Sequence, residues 1–428
     1  MARRVLVVGS GGREHALLWS LSRSQEPLDL FVAPGNGGTG ALARNMAVRA
    51  EDIDGIVALA REEAIDLVVV GPEAPLALGL VDRLQEAGIA AFGPTAAAAR
   101  VESSKAFSKA LMRDQGIPSA SFGTFTEYAS ARDYLEAHPA PIVLKADGLA
   151  AGKGVLVCQT DAEAQDALRA IMVDRQFGEA GSRVVIEEYL TGQEVSVLAF
   201  ADGRHVVPMV LAQDHKPAYD GDRGPNTGGM GCFAPAPLLD AALLQRVTTE
   251  VLQRALDGLE AMGCPYVGVL YAGLMVRDGD YKVLEFNCRF GDPETQVILP
   301  LLETDLLTII DACLAGSLDS VAFKWSSRSA VCVVMASGGY PGSYERGLGI
   351  QGLERIPADK DLIVFHAGTR REGARVLTDG GRVLGLTALG DDLAAAMSRA
   401  YAATAAVRWP GAFYRRDIGT RNLAKGDR

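Results

Sequence analysis

The chain has 428 residues, 48% hydrophobic and 22% charged, with a formal net charge of −11 at pH 7. That length and balance suit about three globular domains with sizeable cores. The acidic excess argues against a nucleic-acid binder, which needs clustered basic charge to neutralise phosphates. The six scattered cysteines contain no C-x-x-C pair, so reduced core thiols are expected rather than disulfides or zinc. No uncharged run approaches the roughly 20 apolar residues of a membrane span, and the first strand begins almost at Met1. A soluble, cytoplasmic protein is expected.

The first hundred residues alternate strand and helix. RVLVVG (4–9), DLFVAPG (29–35), IDLVVVGPE (65–73) and IAAFGPT (89–95) read as buried strands. Between them EHALLWSLSRS (14–24), DIDGIVALAREEA (52–64) and LALGLVDRLQEAG (76–88) read as amphipathic helices. This pattern predicts a parallel sheet covered on both faces, with ligands beyond the carboxyl ends of its strands. A helix over 103–116, closed by Gly116 and followed by Pro118, comes next. Beyond it lie a flap region at about 118–187 and a larger, mostly antiparallel segment reaching about 320. A last module starts at SAVCVVMAS (329–337), with strands at 362–368, 375–379 and 382–389 and a turn signal at Asp379-Gly380-Gly381. A helix carrying Leu393, Met397 and Tyr401 follows.

Three stretches carry chemistry. KADGLAAGKG (145–154) suggests a phosphate cradle but is not a P-loop. Gly148 and Gly152 enclose three residues, Lys153 precedes Gly154 rather than a hydroxyl, and an apolar strand (155–158) follows. It reads as a hairpin flap, so a metal site must come from elsewhere. In VLEFNCRFGDPETQ (283–296), Glu285 and Asn287 stand two apart on a strand and share a face. A carboxylate beside an amide oxygen is a partial hard-oxygen shell for Mg²⁺, and Arg289 continues that face, able to fork onto a carboxylate or phosphate. The loop Gly9-Ser10-Gly11-Gly12 joins a strand to a helix, as a phosphate site or a tight packing turn would. Glu14 stands where a dinucleotide fingerprint needs glycine.

The pairing of KADGLAAGKG with a distant E-F-N strand resembles the ATP-grasp superfamily. More narrowly, GSGGREHA, APGN, GPEAPL, SSKAF, QDHK, GPNTGGMG, YAGLM, EFNCRFGDPE and DGGRVL, in register over the whole chain, resemble the glycinamide ribonucleotide synthetase (phosphoribosylamine–glycine ligase) family. The resemblance implies an α/β and α+β multidomain fold. Its parts would be an N-terminal parallel-sheet domain (1–101), an ATP-grasp domain (102–325) with the flap at about 118–187, and a small β-rich C-terminal domain (326–428). It implies an ADP-forming ligase of purine synthesis that joins glycine to 5-phosphoribosylamine through glycyl phosphate.

By the same resemblance Lys105 and Lys145 reach the ATP phosphates, and Gly152, Lys153 and Gly154 fold over them. Glu187 and Leu190 grip adenine, and Glu194 accepts the ribose hydroxyls. Glu285 and Asn287 hold Mg²⁺ or Mn²⁺. Arg289 takes the glycine carboxylate or the transferring phosphoryl, and Asp292 or Asp214 the ammonium group. Gly11, Gly12 and Asn36 suit the ribose phosphate and Glu73 the ribose hydroxyls, with Asp379 to Arg382 completing that cleft. His215 is either a general base or a structural histidine. A monomer without nucleic-acid or membrane partners is expected. A carboxylase on the same fold and a non-catalytic nucleotide-binding regulator are the competing readings.

Overall fold

The structure, a computed structural model, describes residues 2–149 and 154–420. Expected positions Gly152 and Lys153 therefore lie outside the described residues. The N-terminal sheet is parallel, in the order 44–45, 28–34, 3–9, 67–70, 90–92. Both faces of its strands are buried, which is why they read as continuous apolar runs: Val5, Val7, Val32 and Val69 enter one core while Leu6, Val8, Phe31 and Val68 enter another. The helix expected over 76–88 is instead two, Glu73–Ala77 and Leu80–Glu86, because Gly79 between them is left-handed at φ +82°.

Two antiparallel sheets build the centre. Strands Phe122–Phe125, Val184–Glu188, Ile142–Ala146 and Val155–Cys158 form the flap, in that spatial order. Helices Tyr128–Ala137 and Asp161–Met172 close its own small core, which includes Leu135, Leu144, Ile171 and Ile186. The second sheet runs Val206–Pro208, Gln193–Asp202, Val267–Arg277, Asp280–Asn287.

A third sheet joins Gln213–Asp214 and Gly231–Ala234 to Ser329–Ala336, Arg382–Gly390 and Leu362–His366. The loops QDHK and GPNTGGMG thus leave and re-enter the chain's last sheet. Asp379-Gly380-Gly381 does not close a hairpin between its flanking strands. Arg375–Thr378 pairs with Thr369–Glu372, whereas Arg382–Gly390 pairs elsewhere. The backbones of Gly368 and Gly380 cross so closely there that a Cβ on Gly368 would stand 2.5 Å from the Gly380 Cα. Among the described residues no helix is long and apolar enough to cross a membrane.

Candidate active site

A cavity of about 420 Å³ opens where the flap, the second antiparallel sheet, the N-terminal module and the last module meet. Its flap wall is set by Lys145, at the end of strand Ile142–Ala146, and by Glu187 on the neighbouring strand. Lys145 Nζ lies 2.9 Å from Glu187 Oε1 and donates to the Leu284 carbonyl at 3.1 Å. Lys109 Nζ holds the other Glu187 oxygen at 2.9 Å, so one buried carboxylate is gripped by two lysines. Lys105, one helical turn before Lys109, donates to the Gly148 carbonyl at 2.9 Å. Ser104 caps that helix and also bonds Asp147 of the KADG loop at 3.0 Å, fixing the flap loop to the helix N-terminus. Burial holds the Lys105 and Lys109 ammonium groups below the ordinary lysine range.

The opposite wall is strand Asp280–Asn287. Its ladder shifts register between Gly273 and Leu274, and beyond that shift Glu285 and Asn287 line the cavity. Burial works against a charged Glu285, yet Lys216, Lys145, Lys105 and Arg289 together hold its carboxyl below the usual range. Among the described residues Glu285 pairs with Lys216, at a long 3.9 Å. Its oxygens therefore keep coordination capacity for a cation. The Asn287 Oδ1 accepts only a long bond, 3.3 Å, from Arg289 Nη2. These donors fit a hard divalent ion that phosphate and water would complete. Among the described residues no group of three or more His, Cys, Asp or Glu is placed to hold a metal alone.

Arg289 is itself held by carboxylates, Glu73 at 3.1 Å and Glu102 at 3.2 Å. Burial opposes ionisation of Glu73, but Arg289 and Arg13 outweigh it and hold that carboxyl at about 2. Burial pushes Glu102 the other way, upward. Asp292 meets Arg382 at 3.3 Å and accepts from Gln296 at 2.7 Å. Arg382 also donates to the carbonyls of Gly228 (2.6 Å) and Asp292 (2.7 Å), so the last module reaches the pocket and ties two of its loops. Burial and the charge of Glu294 raise Asp214 well above the ordinary carboxylate range. Lys216 bridges Glu194 at 3.2 Å.

Other expected residues are placed differently. Glu194 sits at the mouth of a side cleft with Asp214, Lys216 and Tyr271. Leu190 lines a neighbouring groove with Tyr189, Met275 and Lys282. Gly154 is on the main cavity wall. The Gly11 N–H is taken by Glu14 Oε2 at 2.5 Å, a carboxylate capping its own helix. The amide of Asn36 is spent on backbone: Nδ2 donates to Ser10 and His366 carbonyls at 2.9 and 2.8 Å, and Oδ1 accepts from Gly38 and Thr39. It stitches the N-terminal loops to the last module. His215, just past strand Gln213–Asp214, is buried near Phe233 and is not on the cavity wall. Burial lowers it to about 4, the state of a neutral structural imidazole.

The sequence reading passed over Arg13, Glu102, Lys109, Lys216, Tyr271 and Glu294, all of which line the cavity. Three had a signal: Lys109 follows Lys105 at i+4, Lys216 follows Asp214 at i+2, and Glu294 follows Asp292 at i+2. Glu294 accepts from the Tyr271 hydroxyl at 2.7 Å and from Ser196 at 3.0 Å.

Models of the three domains of phosphoribosylglycinamide synthetase match this chain in order: the N domain over residues 3–102, the ATP-grasp (A) domain over 103–295 and the C domain over 330–421. The chain belongs to the phosphoribosylglycinamide synthetase family. It is 52% identical over 425 residues to the phosphoribosylamine–glycine ligase of Allochromatium vinosum, covering 99% of both chains. It is 53% identical to that of a Nostoc species, covering 98% of this chain and 99% of the relative. The crystal structure of the Thermotoga maritima phosphoribosylamine–glycine ligase superposes with a TM-score of 0.86 at 33% identity, over 97% of this chain and all of that one. A Campylobacter jejuni biotin carboxylase bound to β,γ-ATP gives 0.75 at 15% identity over 96% and 93%, a likeness of fold alone.

Proposed function

We propose that the protein joins glycine to 5-phosphoribosylamine with ATP, giving glycinamide ribonucleotide, ADP and phosphate. The observation that carries this reading is the shared wall-to-wall site: Lys145 and Lys105 from the flap side face Glu285 and Asn287 across one cavity. Lys105 and Lys145 take the triphosphate oxygens, with Gly154 on the same cavity wall. Leu190 and Glu187 lie at the adenine end, and Glu194 at the ribose. Glu285 and Asn287 hold Mg²⁺ or Mn²⁺, which would neutralise triphosphate charge.

A glycine carboxylate oxygen attacks the γ-phosphorus and ADP departs, leaving an acyl phosphate. The amine of phosphoribosylamine then attacks the acyl carbon, the C–O bond breaks, phosphate leaves and the nitrogen loses one proton. The first step turns an oxygen that cannot depart into a good leaving group, and it needs charge neutralisation and alignment more than covalent help. Arg289, positioned by Glu73 and Glu102, faces the carboxylate or the moving phosphoryl. Asp292 or Asp214 receives the glycine ammonium. Glu73 and the Gly11–Gly12 turn border the phosphoribosyl side. The free thiols of all six cysteines support a reducing, cytoplasmic setting, and we place the working unit as a monomer.

The test is a substrate panel read by ADP formation. The account expects ADP only when glycine and phosphoribosylamine are both present. Turnover with bicarbonate replacing glycine would move the chain to a carboxylase chemistry.

A further inference from the structure

The hairpin between Lys216 and Gly228 has little to hold it. Its strands Pro217–Tyr219 and Arg223–Asn226 pair with an irregular register, and within it only Ala218 is buried. Yet both its ends are cavity wall: Asp214 and Lys216 enter it, Thr227 and Gly228 leave it. Apolar packing does not fix a segment of this kind, so something else must.

That something is Arg415, whose side chain is 0% exposed. Its Nη1 donates to the Pro217 carbonyl at 3.1 Å and its Nη2 to Asp222 at 2.8 Å, one partner on the hairpin's first strand and one in its turn. Asp417 receives Nε at 2.8 Å and Nη2 at 2.7 Å, a two-pronged pair, and accepts the Gly221 N–H at 2.9 Å. The Arg416 N–H donates to Asp220 at 2.7 Å. Three consecutive residues near the end of the chain thus grip three loop carboxylates or amides. Arg382 secures the Gly228 end from inside the cavity, while Arg415 holds the tip from outside.

We propose that Arg415 is a positioning residue for the ligation, fixing the 217–226 hairpin so that Asp214, Lys216, Thr227 and Gly228 stand correctly beside the reacting glycine. The proposal rests on the ligase reading above for its chemistry, but the clamp itself can be tested apart from it. The triphosphate contacts Lys105, Lys145 and Gly154 are not attached to this hairpin, which meets the nucleotide side through the Lys216–Glu194 pair at 3.2 Å, so kcat should fall far more than ADP affinity on substitution.

The experiment compares wild type with Arg415→Met and Arg415→Lys for kcat, for ADP affinity by calorimetry, and for amide hydrogen exchange. In Arg415→Met, kcat should fall about 10- to 100-fold, the scale of a small misplacement of reacting groups, with ADP affinity held within about twofold. Arg415→Lys should recover part of the loss, since an ammonium replaces the charge without the fork. Exchange should quicken at 214–231 and stay unchanged at 142–146. An unaltered kcat, or ADP affinity falling in step with kcat, would overturn the proposal. Should Arg415→Met not fold, Asp222→Ala removes one partner and should lower kcat in the same direction with ADP affinity kept; an unaltered kcat there overturns it equally. Wild type forming no ADP with glycine and phosphoribosylamine would defeat the ligase reading alone, and exchange at 214–231 would still decide the clamp.

Discussion

The ammonium of Lys145 donates to the carbonyl of Leu284 at 3.1 Å, across 139 positions of sequence. That bond closes the flap onto the strand bearing Glu285 and Asn287, and it makes Lys145 both a wall of the site and a latch. Replacing Lys145 by methionine removes the Leu284 bond, one of the two Glu187 ion pairs and the proposed phosphate partner. We expect kcat/KM for ATP to fall by about 10²-fold or more, measured by initial rates over an ATP series.

Glu285 stands among four cations and faces the cavity, with its side chain 38% exposed. Glu285→Ala should reduce turnover to near background at any Mg²⁺ concentration. A carboxylate so placed contributes little to stability, so Tm should move by no more than about 4 °C. Scanning calorimetry beside an ADP assay separates the two effects.

The Lys109–Glu187 pair is a different case, with both side chains 3% exposed. Removing one member strands a buried charge, at a cost of about 3–5 kcal/mol. Lys145 still serves Glu187, so Lys109→Met should fall at the lower end, and adding Glu187→Gln should deepen the loss because it strands the Lys145 ammonium. Urea unfolding of the single and double variants reads this directly.

His15 and His366 meet where the N-terminal and last modules join, the His366 N–H donating to His15 Nδ1 at 2.9 Å. Burial lowers them to about 3 and about 4 from 6.5. Between pH 4 and 6.5 the unfolded chain therefore binds more protons than the folded one, and stability drops as pH falls. Each histidine contributes a slope that grows from about 0.7 kcal/mol per pH unit at pH 6.5 toward about 1.4 near pH 5. Unfolding followed at pH 5.0, 5.5, 6.0 and 6.5 should show it, with His366→Asn flattening the slope by about one histidine's share.

Much of this was legible in the residues. Continuous β-branched runs announced a sheet buried on both faces, and the i, i+2 spacing of Glu285 and Asn287 announced a shared face. The failures have physical reasons. Gly79 split an otherwise good amphipathic pattern, because period alone does not report a left-handed backbone. The Asn36 side-chain amide is occupied by backbone at both ends, a stitching role that no local signal announces. Glu102 and Arg13 are charges on helices that nothing local marks; the tertiary approach of Arg289 gives Glu102 its role, and that of Glu73 and the Phe290 carbonyl gives Arg13 its own. Arg415 was invisible for the same reason, its partners lying about 200 positions earlier.

The central claim is that glycine is activated as an acyl phosphate in the Lys145–Glu285 cavity. Turnover with glycine labelled by ¹⁸O in its carboxylate, followed by mass spectrometry of the released phosphate, tests it. The account requires one labelled oxygen to pass from glycine into each phosphate formed. Phosphate carrying only unlabelled oxygen, while glycinamide ribonucleotide still accumulates, would contradict it.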